Sequence, residues 1–222
     1  MSGRLEGRRV LVTHAERYIG PPVFELFREE GAHVIADQSE YADPGVIQNV
    51  VEQAGRIDVL VANFAGPPRM MPVTNMLTEA TAFEDEDFEA YLQELVWPLL
   101  RFVRATLPQM IERRSGKFVG VRSATPLRAI PGLSVYSAAR GAQNAFVQVV
   151  GNEVAAHNVQ FNAIGPAHIA NNMYYTSEML EDAEARSNSC RRFPQDKSVK
   201  AGKPPSSRWL WPPAPAASWR GR

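Results

Sequence analysis

Asp58-Val59-Leu60-Val61-Ala62-Asn63-Phe64-Ala65-Gly66 is an almost unbroken apolar run that closes on a glycine. Its first six residues, Asp58 to Asn63, read as a strand buried on both faces, the condition of strands in a parallel sheet. Four more segments share that character: Val10 to Thr13, His33 to Asp37, Lys117 to Val121 and Val159 to Ile164. Between them lie Pro22 to Glu30, Gly45 to Ala54, Phe83 to Arg114 and Ser137 to His157, with apolar residues at helical spacing and charges on the opposite face. Strand and helix in alternation predict an α/β fold, a doubly wound parallel sheet formed by residues 1–186. Such sheets bind ligands at the carboxyl ends of their strands.

Composition narrows the function classes. The chain has 222 residues, 45% hydrophobic and 22% charged, with 24 basic and 24 acidic side chains. Cys190 is the single cysteine, so no intrachain disulfide forms. No run of about 18 apolar residues predicts a membrane span, and Met1 to Arg9 has no apolar stretch behind it to suggest a secretory leader; the cytoplasm is the expected location. The neutral total hides an asymmetry: residues 1–186 carry 16 basic and 23 acidic groups, a balance of −7, and residues 187–222 carry 8 and 1, a balance of +7. An acidic body argues against a nucleic-acid partner, which would need a basic face on the folded part.

Residues 187–222 break the pattern. They hold six prolines and three of the four tryptophans, as in Pro204-Pro205-Ser206-Ser207-Arg208-Trp209-Leu210-Trp211-Pro212-Pro213-Ala214-Pro215. No strand or helix period is visible there, and a disordered tail is expected. Two origins fit the composition, a partner-binding segment or a GC-rich gene translated out of frame. A main sheet ending at Val159 to Ile164 would leave an apolar edge and lower stability.

Three residues predict a chemical site. Ser123 closes the strand that begins at Lys117, Tyr136 follows thirteen residues on, and Arg140 lies four beyond it. The i, i+4 spacing puts phenol and guanidinium on one helix face, and the strand end carries the serine to the same rim. A phenol is a poor base near neutrality, and a fixed cation beside it favours its anion, so Arg140 could make Tyr136 a general base. Ordinary packing of a tyrosine and an arginine would use the same spacing.

These residues, with Asp58 to Gly66 and Ile164-Gly165-Pro166, resemble the short-chain dehydrogenase/reductase superfamily over residues 8–186. That superfamily has a glycine-rich first turn, Thr-Gly-x-x-x-Gly-x-Gly, which lets the backbone approach a pyrophosphate. Here the turn is Thr13-His14-Ala15-Glu16-Arg17-Tyr18-Ile19-Gly20-Pro21-Pro22. His14 and Tyr18 replace glycines, Pro21 and Pro22 remove amide donors, Arg140 replaces the usual lysine, and Leu95 stands in place of an asparagine. Asp37 remains at the ribose-binding position, the one feature that favours a dinucleotide.

Ser123-Ala124-Thr125-Pro126, Tyr136-Ser137-Ala138-Ala139-Arg140 and the Tyr18 turn are similar to one branch, the halohydrin dehalogenases, nearest to its B-type members. The resemblance implies closure of vicinal haloalcohols to epoxides with release of halide and a proton, without a cofactor. It implies that Ser123 holds the hydroxyl, Tyr136 takes its proton and Arg140 supports the tyrosine. The halide pocket then falls between Tyr18 and Pro166, Ala167 and His168, with Phe64, Pro67, Leu127, Tyr174 and Tyr175 as substrate walls. The implied partners are a small haloalcohol or epoxide and halide; a homotetramer is also implied, although residues 187–222 lack the helix and strand such an assembly uses. His14, His33, His157 and His168 have no metal-ligand spacing, so no metal is expected.

Overall fold

A computed structural model describes residues 3–77, 81–166, 169–171, 173 and 199–200, with backbone alone at 170, 199 and 200. Five strands, β1 (Arg9–Val12), β2 (His33–Ala36), β3 (Val59–Asn63), β4 (Gly116–Val121) and β5 (Val159–Ile164), form one parallel sheet in the order β2-β1-β3-β4-β5. All four pairings are parallel. The chain reverses its direction across the sheet between β1 and β3, so the turns leaving these two strands part and leave a crevice at their carboxyl ends. This is the α/β, Rossmann-like architecture expected from the alternating pattern.

The apolar runs are continuous because both faces are covered. Every residue of β3 is buried. On one face Leu11, Leu60, Ala62 and Phe118 pack with residues of α2 (Pro44–Ala54), α4 (Trp97–Glu112) and α5 (Ser134–Val154). On the other, Val10, Val12, Val59 and Val61 pack with Tyr18, Ile19 and residues of α1 (Gly20–Glu29). Strand alternation thus feeds two cores from one sheet. Along β5 the alternate positions Gln160, Asn162 and Ile164 face outward, two polar and one apolar.

The helix predicted over Phe83 to Arg114 forms in a modified way. It begins at Asp85 as α3 (Asp85–Tyr91), passes through a wide π turn at Leu92–Val96 and continues as α4. Pro98 accounts for the widening: it has no N–H for the Glu94 carbonyl, and its ring crowds that oxygen. Trp97 N–H bonds instead to Leu92 O. The acidic run at its start acts as a cap, with Glu84 N–H donating to Asp87 Oδ2 at 3.1 Å. Helices α1 and α5 start earlier than predicted, at Gly20 and Ser134.

The reading of residues 187–222 as free of strand is corrected at two positions. Val199–Lys200 (β7) pairs in parallel with Ile169–Ala170 (β6). A two-residue ladder needs only backbone partners, so no amphipathic period announces it. No helix among the described residues is long and apolar enough to cross a membrane.

Candidate active site

The site grows from the ends of β3 and β4 and the first two turns of α5. Ser123 lies two residues past β4, where Arg122 N–H bonds Ile164 O at 2.9 Å and Ala124 N–H bonds Pro166 O at 3.1 Å. These bonds carry the β4–β5 pairing past the serine and seat the segment after β5 beside it. Ser123 Oγ accepts Thr125 N–H at 3.1 Å and lies 2.7 Å from Thr125 Oγ1. This local Ser turn sets the position of the hydroxyl.

Tyr136 falls in the first turn of α5 and Arg140 one turn further, with exposures of 4% and 1%. Arg140 Nε donates to Tyr136 Oη at 3.0 Å, and the guanidinium carbon lies 5.1 Å from the tyrosine ring centre. NH1 of Arg140 donates to Phe64 O at 2.9 Å, Gln143 Oε1 at 3.0 Å and Val121 O at 3.5 Å. One buried guanidinium therefore ties the ends of β3 and β4 to the phenol on α5. All four of these hydrogen-bond acceptors are neutral, so none of them cancels its charge beside the tyrosine. The ring of Tyr91 meets that of Tyr136 edge-on at 5.5 Å.

Two further residues meet at this site that sequence reading did not single out. Gln143, 1% exposed, holds Arg140 through Oε1 and donates Nε2 to Leu95 O at 2.6 Å. Glu94 places its carboxylate over Gly66, where an added Cβ would come within 2.6–2.8 Å of it. Burial pushes the Glu94 carboxyl up, against the opposing pull of Arg140, Arg69 and Arg17. Gln143 was visible in principle, since it lies three residues from Arg140 on the same helix face. Glu94 gave no sequence signal beyond preceding Leu95.

The first turn keeps the course of a glycine turn with other side chains on it. His14 and Tyr18 both have positive φ, 44° and 54°, which costs a non-glycine residue about 1–2 kcal/mol. Asn63 fixes the turn from β3, donating Nδ2 to His14 O at 3.0 Å and Arg17 O at 2.9 Å. Gly20 is required where α1 meets the turn, because a Cβ there would lie 2.5 Å from Ala15 O. His14, 4% exposed, stacks on Tyr41 at 4.6 Å and meets Phe64 edge-on at 5.9 Å. Phe102 closes this aromatic group against Tyr41 and Phe64.

A dinucleotide does not fit these residues. Asp37, the acid that would receive ribose hydroxyls, already accepts Tyr41 Oη on Oδ2 and Ser39 Oγ on Oδ1 at 2.8 Å. Burial, followed by that bond to Asp37, drives the Tyr41 phenol far up, which keeps it protonated and donating. His14 and Tyr41 stand over the turn, and Pro21 and Pro22 remove two amides from the start of α1.

Neither ring nitrogen of His14 has a hydrogen-bond partner among the described residues. Its pKa is lowered, by burial first and Arg17 second, with Glu16, Glu40 and Asp37 opposing. The unfolded chain therefore takes up a proton near the ordinary histidine range, about pH 6.5, before the native ring does. Stability is full above that range and falls as pH drops through it, by up to about 1.4 kcal/mol per pH unit. His14→Phe is expected to remove this part of the slope; urea midpoints of the two chains at pH 7.5 and 5.5 measure it, and equal slopes would refute the assignment.

The other residues predicted for the site are placed as follows. Tyr18 is buried, in one apolar cluster with Ile169 and Met173. Pro166 adjoins Ser123 through Ala124. Phe64 is buried in the aromatic group, and its carbonyl is what reaches Arg140. Pro67 and Leu127 are exposed, and Pro67 O accepts Tyr91 Oη at 3.1 Å. Leu95 lies in the core. Ala167, His168, Tyr174 and Tyr175 lie outside the described residues. No group of three or more His, Cys, Asp or Glu side chains that could hold a metal occurs among the described residues.

A doubly wound parallel sheet in this strand order, with a crevice at its strand ends, defines the class of nucleotide-binding folds. Residues 44–181 match the family model of the short chain dehydrogenases, and the chain belongs to that family. The 3-oxoacyl-[acyl-carrier-protein] reductase of Thermotoga maritima is 30% identical, over 86% of this chain and 84% of its own. The 1,6-dihydroxycyclohexa-2,4-diene-1-carboxylate dehydrogenase of Acinetobacter baylyi is 28% identical, over 72% and 69%. Among solved structures, a dehalogenation enzyme superposes with a TM-score of 0.78 at 25% identity, over 91% of this chain and 88% of its own. The gluconate 5-dehydrogenase of Burkholderia cenocepacia, in complex with NADP and tartrate, gives 0.75 at 23%, over 90% and 85%.

Proposed function

We propose that this chain is a cofactor-independent dehalogenase that closes vicinal haloalcohols to epoxides, and in reverse opens epoxides with anions. The carrying observation is that the nucleotide turn is filled by the chain's own side chains while tyrosine and arginine remain paired beside it. The likeness to a solved dehalogenation enzyme supports the same reading.

In this reading Ser123 holds the substrate hydroxyl and Tyr136, as phenolate, accepts its proton. The alkoxide oxygen uses its freed pair to form a bond to the neighbouring carbon, and the carbon–halogen pair leaves with the halide. Tyr136 then returns the proton to water. Nε of Arg140 stays on the phenolic oxygen throughout. Among the described residues, Tyr18 and Pro166 are assigned to the halide side and Pro67 and Leu127 to the substrate border, with Phe64 behind. The reaction belongs to the cytoplasm and needs only the small molecule and its halide as partners.

The test is release of halide and acid, one for one, from a simple vicinal haloalcohol such as 1,3-dichloro-2-propanol without nucleotide. A titration with NAD or NADP is expected to show no binding. The second reading, a nicotinamide-dependent reductase, is favoured by the reductases among the relatives and by Asp37 at the end of β2. Nucleotide binding with reduction of a 3-oxoacyl thioester, and no halide release, would establish it instead.

A further inference from the structure

Arg140 sits at 1% exposure, and its acceptors differ in kind. Phe64 O and Val121 O belong to the backbone, and Tyr136 Oη belongs to the reacting group under the function proposed above. The remaining acceptor is Gln143, a side chain outside the reacting group. Its own orientation is determined by what it touches. Leu95 O can only accept and the guanidinium can only donate, so the amide must turn its nitrogen to the π turn and its oxygen to Arg140.

The two bonds therefore make a strut from the wide turn at Leu92–Val96 to the guanidinium. We propose that Gln143 is a positioning residue that aims Arg140 Nε at Tyr136 Oη and, being neutral, leaves the arginine's charge to act on the tyrosine oxygen. A glutamate would fit the same volume but neutralise that charge and face Leu95 O without a donor. A leucine would leave the charge intact and remove its guide. The two substitutions thus separate charge from aim. The other titratable groups around the pair, Tyr91 on α3 and the raised carboxyl of Glu94 in the π turn, are unchanged in both variants.

The test compares the chain with Gln143→Glu and Gln143→Leu by two readouts. The first is the pH profile of halide release. Gln143→Glu is expected to move its acidic limb up by about one pH unit and to regain rate at higher pH; Gln143→Leu is expected to lower kcat about tenfold or more, with KM nearly unchanged and the limb moved less. The second is the alkaline tyrosinate absorbance step that Tyr136→Phe removes from each chain, which requires no turnover. Its midpoint is expected to rise in Gln143→Glu. This inference rests on the dehalogenase reading, and the second readout separates the two: a moved step without halide release from the unchanged chain overturns the reading and retains Gln143. Steps and limbs that stay in place in folded Gln143→Glu, with only its melting temperature lowered, overturn the positioning role.

Discussion

Tyr136→Phe is expected to release halide about 10²–10⁴-fold more slowly than the unchanged chain, the range a positioned general base supplies. The substitution removes one oxygen. The ring stays edge-on to Tyr91 at 5.5 Å and under the guanidinium of Arg140. Arg140 Nε loses its acceptor at 3.0 Å, which costs about 1–3 kcal/mol in a buried place. For a chain of this size that lowers the melting temperature by roughly 2–4 °C per kcal/mol, so protein folded at 25 °C remains available for assay. Initial rates at saturating haloalcohol, with the melting curve beside them, measure both effects. A folded variant that keeps its full rate would remove Tyr136 from the chemistry.

Arg140→Met is expected to act on stability and rate together. It strips donors from Phe64 O and Gln143 Oε1, each about 1–3 kcal/mol when left unpaired, while relieving the burial of a charge. A net loss of about 2–4 kcal/mol follows, with halide release falling about 10²-fold or more because the phenolic oxygen loses its cation. Arg140→Lys keeps the charge but not the fork that serves Tyr136, Phe64 and Gln143 at once. It is expected to fall between the two in both rate and melting temperature. It is not expected to confer nucleotide binding, because the obstacles at Asp37, Tyr41 and His14 lie elsewhere. A lysine variant matching the unchanged chain in both measurements would contradict the need for the fork.

The sheet was legible because strands buried on both faces leave long apolar runs, as at Val59–Asn63. Tyr136 and Arg140 were legible as a pair because helix geometry converts a spacing of four into a contact. Contacts between distant segments were not. Gln143 meets Leu95 across 48 positions, and nothing local marks that contact. Tyr41 takes up Asp37 from only four residues away, but outside any helix, so no regular period turns that spacing into a contact; from sequence alone Asp37 kept the look of an open ribose site. The π turn depends on Pro98 within an otherwise regular helical pattern, and a 3.6-residue period conceals it.

The left-handed backbone at His14 and Tyr18 separates two properties that a glycine turn normally joins. In a glycine turn the same residues permit the path and keep its hollow empty. Here the path is imposed from outside by the amide of Asn63, against the preference of the residues that follow it, and at Tyr18 the strain of about 1–2 kcal/mol is offset by burying its ring in the apolar cluster, worth about 1.5–3 kcal/mol for a large apolar side chain. Positions 14 and 18 are thereby released from dictating shape and left to dictate contents. The loop behaves as a socket with interchangeable linings: its course can stay fixed while the two side chains on it change what the crevice accepts.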